Sequence, residues 1–516
     1  PDAADLESRL AADWGVSPDS VVVTAGADEA LDRICRAYLD ESRSIVLPRP
    51  TFVMLEKYVD LARGRRIAVD WRRGSFPARA FLEAMKPDTA VLGIVTPNNP
   101  TGMAATIEEI RILAEGAPDT LVLCDLAYAE YAGEDPTKEL LTFPNVIVTR
   151  TVSKAWGLAG LRIGYAVGAP ELIAPLRAYG GPYPVSSISL RVAQYVLETS
   201  AARKTASVAR IRRERSELLR LFDRLGFETC ASEANFLFVR FPDAGRVRES
   251  LLQLGVAVRA FPEDPALADS LRITLPGDAE NFETLKSALR TLFEPEAILF
   301  DMDGVIADVS RSYRACIVKT ASSFGADVTP ADVERAKQAG GANCDWTLTE
   351  RLIRECAGTS PGLDAVTVRF QEFYRGTGGE PGLGETESLI GSRESIVALR
   401  ARFPLAIVTG RPRDEARSFL EKFGLDPFFD VVIAREDGPP KPDPAPLRLA
   451  METLGVSRVW MIGDTVDDVR AARAAGALPL GVTSTAADAT ATEVNLRRAG
   501  ATWVGSVWSE IEGVLS

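Results

Sequence analysis

The sequence predicts an α/β chain in which two open, mainly parallel sheets follow one another, with a smaller α+β segment between them. Three observations carry this. Short apolar runs at 21–23, 44–47, 91–95, 121–123 and 146–148 alternate with helical patterns and end in Gly, Pro or Asn. Such runs lack polar alternation, as expected of strands covered on both faces. The same pattern restarts after Pro295, at 297–300, 405–408, 431–433 and 459–462. Finally, 516 residues exceed what one hydrophobic core supports, so two or three domains are expected.

Each element follows from its local pattern. Strand-and-helix alternation over 1–185 gives the first open sheet. A charged helix over 208–225 then precedes a strand over 235–241 and further short units, giving a small α+β domain over 186–294. The third region, 295–516, opens on a buried strand, and a helical stretch from about 310 to 389 follows before strands resume. That order places a helical cap at about 309–395, inserted after the first strand. The junction Phe293-Glu294-Pro295-Glu296 is too short for a flexible tether, so docked halves are expected. No internal repeat or low-complexity segment occurs.

Composition narrows the function. With 46% hydrophobic and 25% charged residues the chain reads as an ordinary globular protein. No apolar run has the length of a membrane helix and no signal-peptide pattern opens the chain. A formal net charge of −13 argues against nucleic acid, and a cytoplasmic location is expected. Six cysteines, at 35, 124, 230, 316, 344 and 356, form no C-x-x-C pair and read as buried apolar residues. The chain contains no histidine, so proton transfer and metal binding fall to lysine, carboxylates, a cofactor or a hard cation. Because the chain opens on Pro1, a preceding segment is expected to be missing.

The first set of motifs lies at successive strand ends. Thr24-Ala25-Gly26-Ala27-Asp28-Glu29 opens a helix whose apolar face is Leu31, Ile34, Cys35 and Tyr38. Gly26 permits close approach of a ligand, and the first helical turn offers N–H groups suited to phosphate. Asn99-Pro100-Thr101-Gly102, Asp125-Leu126-Ala127-Tyr128 and Thr151-Val152-Ser153-Lys154 end three further strands, and Arg162 follows. Polar groups at successive strand ends face one crevice. A carboxylate, an amide, a phenol, an arginine and a lysine there suit a phosphorylated aromatic cofactor held as a Schiff base. Alone, each has an ordinary reading: Asn99 as a turn residue, Tyr128 as packing, Lys154 as a solvated lysine. Their order carries the signal.

Residues 1–293 resemble the fold-type I pyridoxal-phosphate aminotransferases, most closely the histidinol-phosphate aminotransferase branch. The resemblance implies a large cofactor domain plus a small α+β domain. It makes Lys154 the Schiff-base lysine and the proton shuttle of the 1,3-transfer, and Asp125 the partner of the pyridinium nitrogen. It places Asn99 and Tyr128 on the ring hydroxyl and Phe52 stacked on the ring. Gly26, Ala27, Asp28, Thr151, Ser153 and Arg162 hold the phosphate. Arg272, with Arg259 as a second candidate, takes the substrate's acidic group. Leu126 departs from the family's frequent glutamate. The family's N-terminal arm, whose tyrosine reaches the neighbouring subunit's cofactor phosphate, would precede Pro1. A homodimer is therefore expected.

The second set begins at Asp301-Met302-Asp303-Gly304. Two carboxylates at a strand end repel unless a cation offsets them. Thr409-Gly410, Lys441-Pro442 and Gly463-Asp464-Thr465-Val466-Asp467-Asp468 lie near later strand ends. Several carboxylates and one lysine suit Mg²⁺ beside a bound phosphate. Residues 297–516 resemble the haloacid dehalogenase superfamily, a Rossmann-like domain with a helical cap. The resemblance implies Asp301 as nucleophile and Asp303 as the acid that protonates the leaving alkoxide and then activates water. Thr409, Gly410 and Lys441 hold phosphoryl oxygens, and Asp301, Asp303, Asp464 and Asp468 form the metal set. Asp303 favours a phosphatase over a dehalogenase, which needs no acid. The segment 341–346, ending in Trp346, is a candidate for substrate contact or for cap packing.

Together the resemblances imply a bifunctional enzyme. Glutamate and imidazole acetol phosphate give histidinol phosphate, which is then hydrolysed to histidinol. The lack of histidine fits selection against the amino acid whose supply the enzyme controls, or chance in a biased genome. Two alternatives remain: the same chemistries on another phosphorylated amino compound, or a phosphatase attached to a non-catalytic dimerisation module.

Overall fold

Seven strands make the main sheet of the first unit in the computed structural model, which describes residues 3–511. That unit comprises Pro1–Ala244 and Val258–Phe282; the second comprises Gly245–Ala257 and Glu283–Ser516. In spatial order the strands are Val21–Thr24, Gly164–Gly168, Val146–Thr151, Leu121–Asp125, Thr89–Val95, Ser44–Arg49 and Arg65–Asp70. Gly164–Gly168 runs antiparallel to both neighbours. The remaining four pairings are parallel.

Both faces of this sheet are buried, which explains the unbroken apolar runs. Val21, Val23, Leu92, Ile94, Val122, Val146 and Val148 point into one core layer. Val22, Ile45, Leu47, Val91, Leu123 and Ile147 point into the other. Two strands leave no such run in the sequence. Arg65–Asp70 is the edge strand, its side chains exposed or half-exposed in alternation. Gly164–Gly168 is short and glycine-bounded.

A three-stranded antiparallel sheet, Phe236–Arg240, Ser270–Thr274 and Arg259–Ala260, follows. The charged helix begins seven residues earlier than expected and spans Ala201–Arg224.

In the second unit six strands pair in parallel, in the order Val431–Ile433, Leu405–Val408, Ala297–Phe300, Val459–Gly463, Leu478–Val482 and Trp503–Gly505. Four helices, Tyr313–Ser323, Pro330–Ala339, Asp345–Ala357 and Leu363–Arg375, make up the helical insertion. Its two connections are joined by a small antiparallel stalk, Ala307–Asp308 with Ser388–Leu389. Some helix starts are chemically marked; Thr465, for example, closes a reciprocal capping box with Asp468 on the helix Val466–Ala475.

All six cysteines are free. Cys35, Cys124 and Cys316 are buried, whereas Cys230 and Cys344 are half-exposed and Cys356 is exposed. Among the described residues no helix is long and apolar enough to cross a membrane.

Candidate active sites

Sheet register assembles the first site. Gly164 pairs with Thr24 on one side and Thr151 on the other, so the turns leaving both strands meet at one edge. A side chain at Gly164 would place its Cβ 2.2 Å from the Ala27 nitrogen. Gly26 has φ +83°, and a Cβ there would lie 2.5 Å from Arg162 Nη2. Arg162 itself sits at φ +53°, a conformation that non-glycine residues rarely hold without a functional reason. Its guanidinium donates to Asp28 at 3.2 Å and remains half exposed. Thr151 Oγ1 accepts from the Ser153 N–H at 3.1 Å and lies 2.9 Å from Ser153 Oγ. The helix Ala27–Tyr38 carries no side-chain cap. Open N–H groups, two hydroxyls and an arginine thus converge on one point, a donor set that fits a phosphate.

Asp125 ends its strand 3% exposed. Thr149, opposite it in the parallel pairing, donates to its Oδ1 at 2.9 Å. Burial pushes the carboxyl up to about 6, against the Thr149 and Ala127 donors and the Lys154 charge that favour ionisation. A protonated ring nitrogen would supply the cationic partner that burial calls for, so the residue fits the cofactor the sequence implies. Lys154 Nζ stands 5.2 Å from the centroid of the Tyr128 ring. Tyr128 in turn packs edge-on against Phe236 at 5.1 Å.

Phe236 also carries Arg272 over its other side, 5.0 Å from the centroid. Arg272 Nη1 donates to Asn99 Oδ1 at 2.7 Å, while its buried Nε has no partner. Arg259 lies directly across the strand pair from Arg272. Two facing cations with one open buried donor fit a carboxylate or phosphate group. The Asn99 turn is itself fastened, since Asn98 donates to the Pro50 carbonyl and Thr101 and accepts from Thr51. Phe52, beside that anchor, starts the helix Val53–Leu61 and packs half-buried on the core layer of Leu47 and Val95.

The second site lies at strand ends of the six-stranded sheet. Carboxylate oxygens of Asp301, Asp464 and Asp468 lie within 4.8 Å of one another. Lys441, 4% exposed, bridges Asp301 at 2.6 Å and Asp468 at 2.5 Å, and donates to the Val408 carbonyl. Burial lifts the Asp301 carboxyl well above its ordinary range despite Lys441. Burial, then Asp468, lifts Asp464 to about 7. Three carboxylates against the Lys441 ammonium and the Arg314 guanidinium, 4.0 Å from Asp464, still leave an excess of negative charge among oxygen ligands. That donor set fits a hard divalent cation such as Mg²⁺. Gly304 (φ +77°) permits the approach, since a Cβ there would fall 2.0 Å from Asp464 Oδ2.

Asp303 stands apart from this trio: its Oδ1 accepts from Arg411 Nε. A cavity of about 250 Å³ opens over Thr409, Gly410 and Lys441 and is closed by Asn343 and Cys344 of the cap. Asn343 donates to the Lys441 carbonyl at 2.9 Å, and Trp346 lies under the Arg435 guanidinium at 4.1 Å. Thr149, Phe236, Arg411 and Glu387 escape sequence reasoning. Arg411 had one weak signal, its position directly after Thr409-Gly410.

Both regions of the chain are similar to known proteins. The model of the class I and II aminotransferases matches residues 1–289, and that of haloacid dehalogenase-like hydrolases matches 295–476. A histidinol-phosphate aminotransferase of Caldanaerobacter subterraneus subsp. tengcongensis is 33% identical over 297 residues, covering 57% of this chain and 83% of that protein. An imidazoleglycerol-phosphate dehydratase of Phytophthora nicotianae is 46% identical over 194 residues, 36% of this chain. The chain spans only 43% of that relative's length. The crystal structure of histidinol-phosphate aminotransferase from Sinorhizobium meliloti in complex with pyridoxal-5'-phosphate is 26% identical, with a TM-score of 0.51. It covers 56% of this chain and 80% of its own. The chain belongs to the class I and II aminotransferases, pyridoxal-phosphate enzymes, and carries a haloacid dehalogenase-like hydrolase region, of a Mg²⁺-using type, behind them.

Proposed function

We propose that the chain catalyses two consecutive reactions on one phosphorylated compound. Transamination by glutamate converts imidazole acetol phosphate to histidinol phosphate, and hydrolysis then yields histidinol and phosphate. The observation that carries this is the succession of the two family regions on one chain. The similarity to histidinol-phosphate aminotransferases supports the substrate, and the partial likeness to a protein named for an imidazole-bearing phosphate points the same way.

In the first reaction the cofactor, when bound, supplies an electron sink that acidifies the substrate's Cα–H bond. Asp125 keeps the ring nitrogen protonated. Asn99 and Tyr128 bond the ring hydroxyl, and Phe52 covers the ring. Gly26, Ala27, Asp28, Thr151, Ser153 and Arg162 hold its phosphate. Lys154 Nζ moves the proton at the substrate's Cα, and Arg272, aided by Arg259, grips the substrate's acidic group.

In the second reaction Asp301, Asp464 and Asp468 would hold Mg²⁺, which would supply charge to offset that of the phosphate. An Asp301 oxygen attacks phosphorus, the bond to the ester oxygen breaks, and Asp303 protonates the departing alkoxide. Asp303 then takes a proton from water, whose oxygen attacks phosphorus and releases Asp301 and inorganic phosphate. Thr409, Gly410 and Lys441 hold the phosphoryl oxygens throughout.

The same reading divides the chain into a cofactor domain (1–185), a small domain (186–294) and a phosphatase (295–516) with its cap at about 309–395. A cytoplasmic homodimer fits it. The helix Ser187–Thr199 exposes Ile188 (75%), Val192 (39%) and Tyr195 (66%) along one face, apolar surface of the kind a subunit contact covers.

Incubating the full chain with imidazole acetol phosphate, glutamate, pyridoxal phosphate and Mg²⁺ should yield histidinol and phosphate. Transamination without phosphate release would sink the second half. Phosphate release from histidinol phosphate by a protein that never transaminates would reduce the first region to a module. Turnover only of a different phosphorylated amine would keep the chemistry and change the substrate.

A further inference from the structure

Asp303 must hold its carboxyl where it can reach the leaving oxygen, and the turn after a strand does not fix a side chain by itself. The structure shows what does. Arg411, whose side chain is completely buried, donates from Nε to Asp303 Oδ1 and from Nη1 to Glu387 at 2.9 Å. Its guanidinium is sandwiched between Tyr313 at 4.9 Å and Phe419 at 5.4 Å. Glu387 is buried too, and accepts from Ser312 at 2.8 Å and Tyr374 at 3.2 Å. These partners are not scattered. Glu387 directly precedes the stalk strand Ser388–Leu389, Ser312 follows the other stalk strand, and Tyr374 ends the fourth cap helix.

We propose that Arg411 is a positioning residue: it orients the Asp303 carboxyl toward the leaving group and, through Glu387, ties that orientation to both connections of the helical cap. A buried guanidinium is well suited to this. Its planar fork fixes two carboxylates at once, and it stays charged at any working pH. Two aromatic faces restrict it to one plane. A movement of the cap that displaces Glu387 therefore displaces the acid, so protonation of the leaving group depends on cap position. The inference rests on the phosphatase half of the proposed function.

The test separates leaving groups. An alkoxide needs a proton from Asp303 to depart, whereas 4-nitrophenolate does not. The full chain in Mg²⁺ is assayed on histidinol phosphate and on 4-nitrophenyl phosphate, as wild type, Arg411→Lys and Tyr374→Phe. Because Asp303 also serves the later attack of water on either ester, the comparison uses kcat/KM, which reports the steps up to departure of the leaving group. In Arg411→Lys the ratio of kcat/KM on the alkyl ester to that on the aryl ester is expected to fall at least tenfold, in line with what general acids contribute. In Tyr374→Phe, which removes one hydroxyl and keeps the fold intact should Arg411→Lys misfold, the ratio falls about two- to fivefold. Equal losses on both esters in the folded variants, or no loss in Tyr374→Phe, overturn the positioning role alone. A wild type that hydrolyses neither ester overturns the phosphatase reading instead.

Discussion

Replacing Asp125 by asparagine exchanges a buried carboxyl for a neutral group of nearly the same shape. In the cofactor-free protein the carboxyl is driven from an ordinary 3.8 to about 6, chiefly by burial. A group bound more tightly to its proton in the folded state contributes stability below the unfolded value, and loses it as pH rises through the folded one. Below about pH 4 both states are protonated and the carboxyl costs nothing. Above about 6 both are ionised, and the folded state carries the whole penalty, about 3 kcal/mol at about 1.4 kcal/mol per pH unit. Asparagine removes that penalty but turns an amide NH₂ toward a donor that had faced an oxygen, a loss of about 1 kcal/mol. The cofactor-free variant should therefore be about 2 kcal/mol more stable at pH 8. At about 2–4 °C per kcal/mol for a domain of this size, its Tm rises by roughly 4–8 °C, and the advantage shrinks to about a third at pH 5. Scanning calorimetry of stripped protein measures this. With pyridoxal phosphate added the sign reverses, because wild type alone gains an ion pair to the ring nitrogen, and transamination falls in the variant. A stripped variant no more stable than wild type at pH 8, or a gap independent of pH, would refute the reasoning.

Three further outcomes follow from the same contacts. Lys441→Met removes the cation that bridges Asp301 and Asp468, so the metal-free protein loses about 3–5 kcal/mol, Mg²⁺ restores part of its Tm, and phosphate release stops while transamination continues. Gly304→Ala sets a Cβ against Asp464, which should weaken Mg²⁺ binding at least tenfold by calorimetric titration; unchanged affinity would place the metal elsewhere. Arg162→Ala takes a charged donor from the phosphate end of the first site and should raise the Kd for pyridoxal phosphate by about 10–100-fold, read from its absorbance, since a charged hydrogen bond is worth about 1.5–3 kcal/mol.

Much of this was legible because chemistry at the end of a parallel strand leaves a local trace. Asp125, Lys154, Asp301 and Lys441 each follow an apolar run or a tight turn, so residue type and position could be read together. The resemblance to aminotransferases and hydrolases rested on those traces and holds for the chain. The supporting partners left none. Asp303 meets Arg411 across 108 positions and Asn99 meets Arg272 across 173. Thr149 faces Asp125 only because two strands pair in one register. Sequence windows carry the periodicity of an element but not its neighbours, which is also why the edge strand Arg65–Asp70, polar on its open side, went unread.

The absence of histidine gains a physical meaning from these contacts. No side chain here has an ordinary pKa between about 5 and 8, the range where imidazole exchanges protons. Burial brings carboxyls into it instead: Asp125 to about 6 and Asp464 to about 7. A buried acid of this kind is costly while unpaired, and each cost points to a different remedy. Asp125 accepts from Thr149 and feels the Lys154 charge, and a cationic ring would offset the rest. Asp464 faces Asp468 and Asp301, with Arg314 at 4.0 Å as a partial counter-charge, and a divalent ion would offset the rest. Two carboxyls raised by the same force thus call for different cofactors because their neighbours differ.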